Sequence, residues 1–261
     1  MPQTDRRPSR RDRRRAERDA ARAGPRRSSR AQPRGPSLAV LSAAVVGLAL
    51  LGIVVVALLQ GPARPGAGTS DLVRPTPMAA RELWEGRSLG PAHAPLELVV
   101  WSDFQCPACR LFAQTIEPVL LPRYVVPGKL RITYRDFAFL GDGTAADESI
   151  GAAVGAQCAA RQGAFWPYHD TLFANQEGEN QGAFGRPVLV EIAEVVGLDP
   201  DEFAACLADP SVRSEVSEET AQGRGVPVAA TPTLVVASEV IEGVPSIAAL
   251  TALLDAELAG R

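Results

Sequence analysis

Hydrophobic and polar positions along this chain fall into successive regimes. Residues 38–59 carry no charge at all, and residues 96–101 form a short run rich in β-branched and aromatic side chains. That run reads as a buried strand. Residues 130–137 alternate with period two and read as a second strand; a helix from the residues after the first run through about position 119 links the two. A helical crossover makes the pair parallel. Pro122 and Pro127-Gly128 are expected to interrupt that helix, and a short helical segment is expected around residues 79–84. The spacing then turns helical. Helices are predicted over 145–160, from 165 to about 175, and over 187–196, where Gly197 stops the last. Asp199-Pro200-Asp201-Glu202 reads as a capping box with proline at the first helical position, and Asp209-Pro210 repeats the device. Strand spacing returns at 233–237 and 239–242 as a hairpin, and residues 246–258 close the chain as a helix. The order β–α–β, helices, β–β–α describes an α/β layer with an all-helical block inserted at about 143–222.

Charge separates the head of the chain from the rest. Residues 1–36 hold 13 Arg against Asp5, Asp12, Glu17 and Asp19, a surplus of +9. The whole chain is −3, so everything beyond is −12. So basic a head cannot bury enough apolar surface to fold alone, and residues 1–37 read as a disordered cytoplasmic tail. As a helix, residues 38–59 would span about 33 Å, enough for a bilayer core. Arginine before the run keeps the N-terminus in the cytoplasm and sends the remainder across. Gln60-Gly61-Pro62-Ala63-Arg64 has no clean small-x-small cleavage site, which favours an uncleaved single-pass anchor over a signal peptide. Beside such a span the arginines set topology or meet anionic lipid, and no nucleic-acid partner is expected. Residues 60–87, rich in proline and glycine, read as a linker lifting a domain at 88–258 off the membrane.

The candidate chemistry sits where the first strand gives way to the helix. Cys106 and Cys109 bracket Pro107 and Ala108, with proline at the first helical position. Such a cysteine lies at the positive end of the helix dipole, beside amides that have no intrahelical partner, and loses its proton more readily than a free thiol. Cys109, one turn on, is at a separation a disulfide can span. The residues alone admit three readings: a redox pair, a static disulfide, or half of a metal site. For the last, the other cysteines, Cys158 and Cys206, are 48 residues apart with no histidine at ligand spacing.

Several spaced features together resemble the DsbA-like branch of the thioredoxin superfamily. They are Asp103-Phe104-Gln105-Cys106-Pro107-Ala108-Cys109, residues 162–170 in the helical block, Phe203-Ala204-Ala205-Cys206-Leu207, and Thr231-Pro232-Thr233 before the hairpin. The resemblance covers about residues 88–258. It implies a thioredoxin-like α/β fold with an inserted helical subdomain and thiol–disulfide oxidoreductase activity outside the cytoplasm. By the same resemblance Cys106 is the nucleophile, Cys109 the resolving thiol and Pro232 a cis-proline facing them. Thr231 and Pro107 would then meet the client, with the backbone at Thr231 pairing with an extended segment. The resemblance also implies exported protein thiols as substrates and a quinone-linked membrane partner of the DsbB or VKOR type; no cofactor or metal is expected. A reductase or isomerase would carry the same motif, and a tethered binding or chaperone domain is the non-enzymatic alternative.

Two departures from that family stand out. Six residues before Cys106, where the family often has a buried acid, this chain has Val100, so Asp103, Glu97 or water would have to take its place. Either carboxylate is expected to be a solvated surface charge. The dipeptide between the cysteines, Pro-Ala, lacks the histidine of the most oxidising members. In an oxidising compartment Cys158 and Cys206 are expected to form a structural disulfide. His93 and His169 are expected to be surface or packing residues, and Trp101 and Trp166 core residues.

Overall fold

The run 96–101 is the centre of the sheet in a computed structural model of the chain, which describes residues 72–144, 146–226 and 228–261. The basic tail, the apolar span and the first part of the linker lie outside the described residues. Among the described residues no helix is long and apolar enough to cross a membrane.

Among the described residues six strands pair in the order β1-β2-β4-β3-β5-β6. They are β1 (Trp84–Glu85), β2 (Ser88–Leu89), β3 (Leu96–Ser102), β4 (Leu130–Asp136), β5 (Thr233–Val236) and β6 (Glu239–Glu242). β3 and β4 are parallel over their whole length, from Leu96 opposite Leu130 to Ser102 opposite Asp136, and β5 lies antiparallel on the other side of β3. Period two divides the faces. Leu98, Val100, Ile132, Tyr134, Leu234 and Val236 enter the main core, whereas Trp101 joins Phe137 and Val228 in a smaller cluster on the opposite face.

Between β3 and β4 run α1 (Pro107–Thr115) and α2 (Glu117–Leu120), continued by a π turn over Leu121–Val125. The α-helical part ends at Leu120, as the expected interruption at Pro122 requires. Pro122, which has no N–H to continue the i→i−4 ladder, falls within the first two positions of the π turn. The short strands β1 and β2 were not predicted. Residues 72–87 also do more than the linker expectation allows. Val73 N donates to Asn175 Oδ1 and Met78 N to Asp170 Oδ2, both at 2.8 Å, while Leu83 and Trp84 pack on the core. Only residues 81–83 of the segment expected around 79–84 form a helical turn.

Five helices separate β4 from β5: α3 (Glu148–Arg161), α4 (Phe165–Ala174), α5 (Arg186–Val195), α6 (Pro200–Ala208) and α7 (Pro210–Gly225). A last helix, α8 (Ile247–Ala259), follows β6. The predicted caps are in place in modified form. Asp199 accepts from the amides of Asp201 and Glu202, but its own N–H donates to Gln162 Oε1 at 2.9 Å in place of a returning Glu202, so only half of the capping box forms. Cys158 of α3 and Cys206 of α6 are joined by a disulfide with their Cα atoms 5.8 Å apart.

α7 is tied to the sheet by a buried ionic cluster. Arg87 donates to Asp136 at 2.7 Å and to both oxygens of Glu219 at 2.6–2.7 Å, and Arg135 reaches Glu219 at 2.6 Å. Burial pushes the Asp136 carboxyl up to about 7. Glu219, also penalised by burial, is held down at about 2 by its hydrogen bonds to Arg87 and Arg135. Close approach of this helix requires Gly223, where a Cβ would stand 2.6 Å from the Phe137 ring.

Candidate active site

Strand β3 ends at Ser102, and the chain turns through Asp103 to Gln105 before α1 begins. The Cys106 amide donates to Asp103 O at 3.0 Å, closing that turn. Asp103 is the anchor. Its carboxylate accepts from Gln105 N at 2.9 Å, Ser149 Oγ at 2.8 Å, Phe139 N at 2.9 Å and Leu140 N at 3.1 Å. It is 1% exposed, which corrects the expectation of a solvated surface charge. Burial raises its pKa above the usual carboxylate range. Glu97 is exposed and engaged by Thr133 Oγ1 at 2.5 Å, and Val100 is wholly within the apolar core.

Cys106 occupies the N-cap of α1 with extended backbone, Pro107 follows at N1, exposed, and Cys109 lies buried one turn on. Both sulfurs are free thiols. Across from them the Thr231–Pro232 peptide is cis, and Cys106 Sγ donates to Thr231 O at 3.3 Å. Cys106, Cys109, Pro107, Thr231 and Pro232 therefore come together at one place, whereas Cys158 and Cys206 stand apart in the helical block.

The two sulfurs of the pair titrate in opposite directions. The hydrogen bond from the Cys109 thiol lowers Cys106 to about 6 against a smaller opposing effect of burial, with further help from the Thr231 side chain and the first-turn amides of Cys109 and Ala108. Burial pushes Cys109 well above the ordinary thiol range, and the neighbouring Cys106 adds to that. One sulfur is thus a thiolate near neutrality, and the other keeps its proton.

Polar residues around this centre escaped sequence reasoning. Gln176, in the loop after α4, donates through Nε2 to Phe104 O at 2.5 Å and Cys106 O at 3.0 Å. Gln105 donates to Ser149 Oγ at 2.9 Å and accepts from Asn180 N. Glu117 is fully buried, and burial lifts its carboxyl to about 7 although His169 nearby opposes the shift. His169 is 1% exposed and packs among Phe104, Tyr134, Phe165, Trp166 and Phe173, as a packing residue would. His93 is exposed. None of the missed residues had a local signal, because their partners lie tens of residues away in the chain.

A family model described as Thioredoxin matches residues 84–256. Among curated relatives, the "Probable disulfide bond formation protein D" of Bacillus cereus is 28% identical over 153 residues, covering 58% of this chain and 69% of that protein. Its namesake from Bacillus anthracis is 26% identical over 175 residues, 66% of this chain and 78% of that one. Among solved structures, oxidised BdbD from Bacillus subtilis superposes with a TM-score of 0.60 at 23% identity, covering 72% of this chain and 99% of that one. Alpha-DsbA1 of Wolbachia pipientis gives 0.59 at 18% identity, over 67% and 91%. The family match spans the sheet, the cysteine pair and the helical block, and the chain belongs to the thioredoxin family as a DsbA-like thiol–disulfide oxidoreductase.

Proposed function

We propose that this enzyme is a membrane-anchored oxidase of exported protein thiols, with residues 1–37 in the cytoplasm, 38–59 across the membrane and the sheet domain outside. The observation that carries the redox part of this reading is Cys106 at the N-cap of α1 facing the cis Thr231–Pro232 peptide, with Cys109 buried one turn on, an arrangement that lowers the first thiol and raises the second. In the disulfide form a client thiolate attacks Cys106 Sγ, the Cys106–Cys109 bond breaks, and Cys109 leaves and takes up a proton. A second client thiolate then attacks the client sulfur of the mixed disulfide, and Cys106 leaves as its stabilised thiolate. The client gains a disulfide, and the enzyme pair has taken up its two electrons. A pair whose reduced form is stabilised in this way is a good electron acceptor, which favours oxidase over reductase. Pro107 and the backbone at Thr231 flank the sulfur, where an extended client segment can add as a strand. Turnover then needs a two-electron acceptor, for which a quinone-linked membrane protein of the DsbB or VKOR type is suited. Relatives named for disulfide bond formation agree with this direction.

Redox titration of the full-length protein against glutathione tests the direction. A potential toward about −120 mV supports the oxidase, and one near about −270 mV, that of thioredoxin, overturns it. A membrane-impermeant maleimide tests the topology. It is expected to label reduced Cys106 in intact cells, and labelling only after lysis would place the domain inside.

A further inference from the structure

We propose that Gln176, contributed by the helical block, is a positioning residue that holds the start of α1 in the conformation the Cys106 thiolate requires. This rests on Cys106 being the reacting sulfur and adds to it the device that aims it. An N-cap residue normally uses its side chain to clamp the first turn, but the protonated Cys106 thiol makes no cap hydrogen bond, and the first-turn amides are left for the thiolate once it forms. The clamp must come from elsewhere. Gln176 is 4% exposed, and its single amide nitrogen reaches the carbonyls of Phe104 and Cys106, on either side of Gln105. Both of its N–H bonds are thereby used, and Oε1 is buried without a partner. A flipped amide would set Oε1 against two carbonyl oxygens, so the orientation follows from the partners themselves. The loop is held in turn by α1, because Arg110 Nη1 donates to Gln176 O at 2.8 Å. Gln176 therefore joins the loop before the helix, the N-cap and the second turn into one unit. The amides of Ala108 and Cys109 reach Sγ only while that unit keeps the Cys106 backbone extended.

The test is the pH profile of Cys106 alkylation by iodoacetamide in the reduced full-length chain, read at peptide level by mass spectrometry. Gln176→Met keeps the volume and removes both donors. Its midpoint is expected to rise by about one pH unit, the size of one lost hydrogen bond to the site. Alkylation at pH 6 then slows about fivefold, while the plateau above pH 9 stays the same. At pH 7 the equilibrium with glutathione moves about fivefold toward the disulfide form. Gln176→Asn, one methylene shorter, cannot span both carbonyls and is expected to give a smaller shift in the same direction. It carries the test if Gln176→Met does not fold. A folded variant with an unchanged midpoint overturns the clamp and leaves the oxidoreductase reading standing. That reading fails separately, if Cys106→Ser still exchanges disulfides.

Discussion

The chain carries two cysteine pairs that differ in almost every respect except the element they contain. Cys106 and Cys109 are three residues apart on one helix, with the first at its N-cap, where the first-turn amides have no intrahelical acceptor. Cys158 and Cys206 are 48 residues apart on α3 and α6, joined side by side, each in the last turn of its helix, with Cys158 buried. A sulfur at a helix start is stabilised as an anion, so its disulfide has a good leaving group and breaks readily. A sulfur in the last turn of a packed helix is far from the unpaired N-terminal amides and faces the negative end of the dipole, and its disulfide persists. Reactivity is thus set by the backbone around the sulfur, and the same helical block builds both environments: α3 supplies Cys158 to one pair and Ser149 to the loop before the other.

The sharpest way to break this contrast is to exchange the roles by mutation. Cys106→Ser is expected to reduce disulfide exchange with a client to the uncatalysed rate, while Cys158→Ala/Cys206→Ala leaves the exchange rate of the folded protein unchanged. Equal losses in the two variants would mean that electrons pass through both pairs.

Acidity separates the pairs next. With Cys106 at about 6, alkylation of the reduced protein should be half-maximal near that pH, where an ordinary thiol of pKa about 8.5 is ionised to well under about 1%. Linkage gives the matching stability effect. The folded pKa lies below the unfolded one, so the unfolded chain binds more protons and the reduced form gains stability as pH rises from about 6 toward the ordinary thiol pKa; this gain is lost as pH falls through 6. Chemical denaturation of the reduced protein at pH 5.5 and 8 measures it, with Cys106→Ala as the reference that lacks the slope. Cys158 and Cys206 should contribute nothing to either profile until the fold opens.

Stability orders the pairs the other way. Closing a 48-residue separation contributes about 4 kcal/mol in the chain-entropy view. Removing both Cys158 and Cys206 is expected to cost about 2–5 kcal/mol in denaturant unfolding. Reducing only the Cys106–Cys109 bond should leave the protein as stable as before or more so, because the reduced form is the one with the stabilised thiolate.

Much of this was legible in the sequence where the signal was local. β3 followed from a short run of β-branched and aromatic residues, β4 from period two, α6 and α7 from aspartate–proline caps, and the active pair from a proline set between two cysteines at the start of a helix. What escaped had its cause at long range. β1 and β2 are two residues each, too short to carry a period, and exist because β2 pairs with β4. Asp103 looked like any surface acid because three of its four donors come from residues 139, 140 and 149. Gln176 lies between the helices expected to end near 175 and to start at 187, and its partners are carbonyls about 70 residues earlier, to which the identity of the side chain at those positions contributes nothing. The contact between a loop and a backbone has no sequence signature.

Asp103→Asn offers the finest test, because it disturbs the loop before the active pair without touching either disulfide. The carboxylate accepts from Phe139 N and Leu140 N through one oxygen and from Gln105 N and Ser149 Oγ through the other. An amide has one acceptor and one donor group in the same space. Turned toward the 139–140 amides, its NH2 faces two N–H groups; turned the other way, it can donate to Ser149 Oγ but leaves Gln105 N buried and unpaired. The second orientation is the better one, and the expected loss is about 1–3 kcal/mol, that of one orphaned buried donor. Since the loop fixes the N-cap, the Cys106 alkylation midpoint should move up slightly in the same variant, while Cys158 and Cys206 remain unreactive under native conditions. A variant that lost stability by this amount and also released the Cys158–Cys206 pair to alkylation would mean that the two regions open together, and the contrast between them would then belong to one cooperative unit.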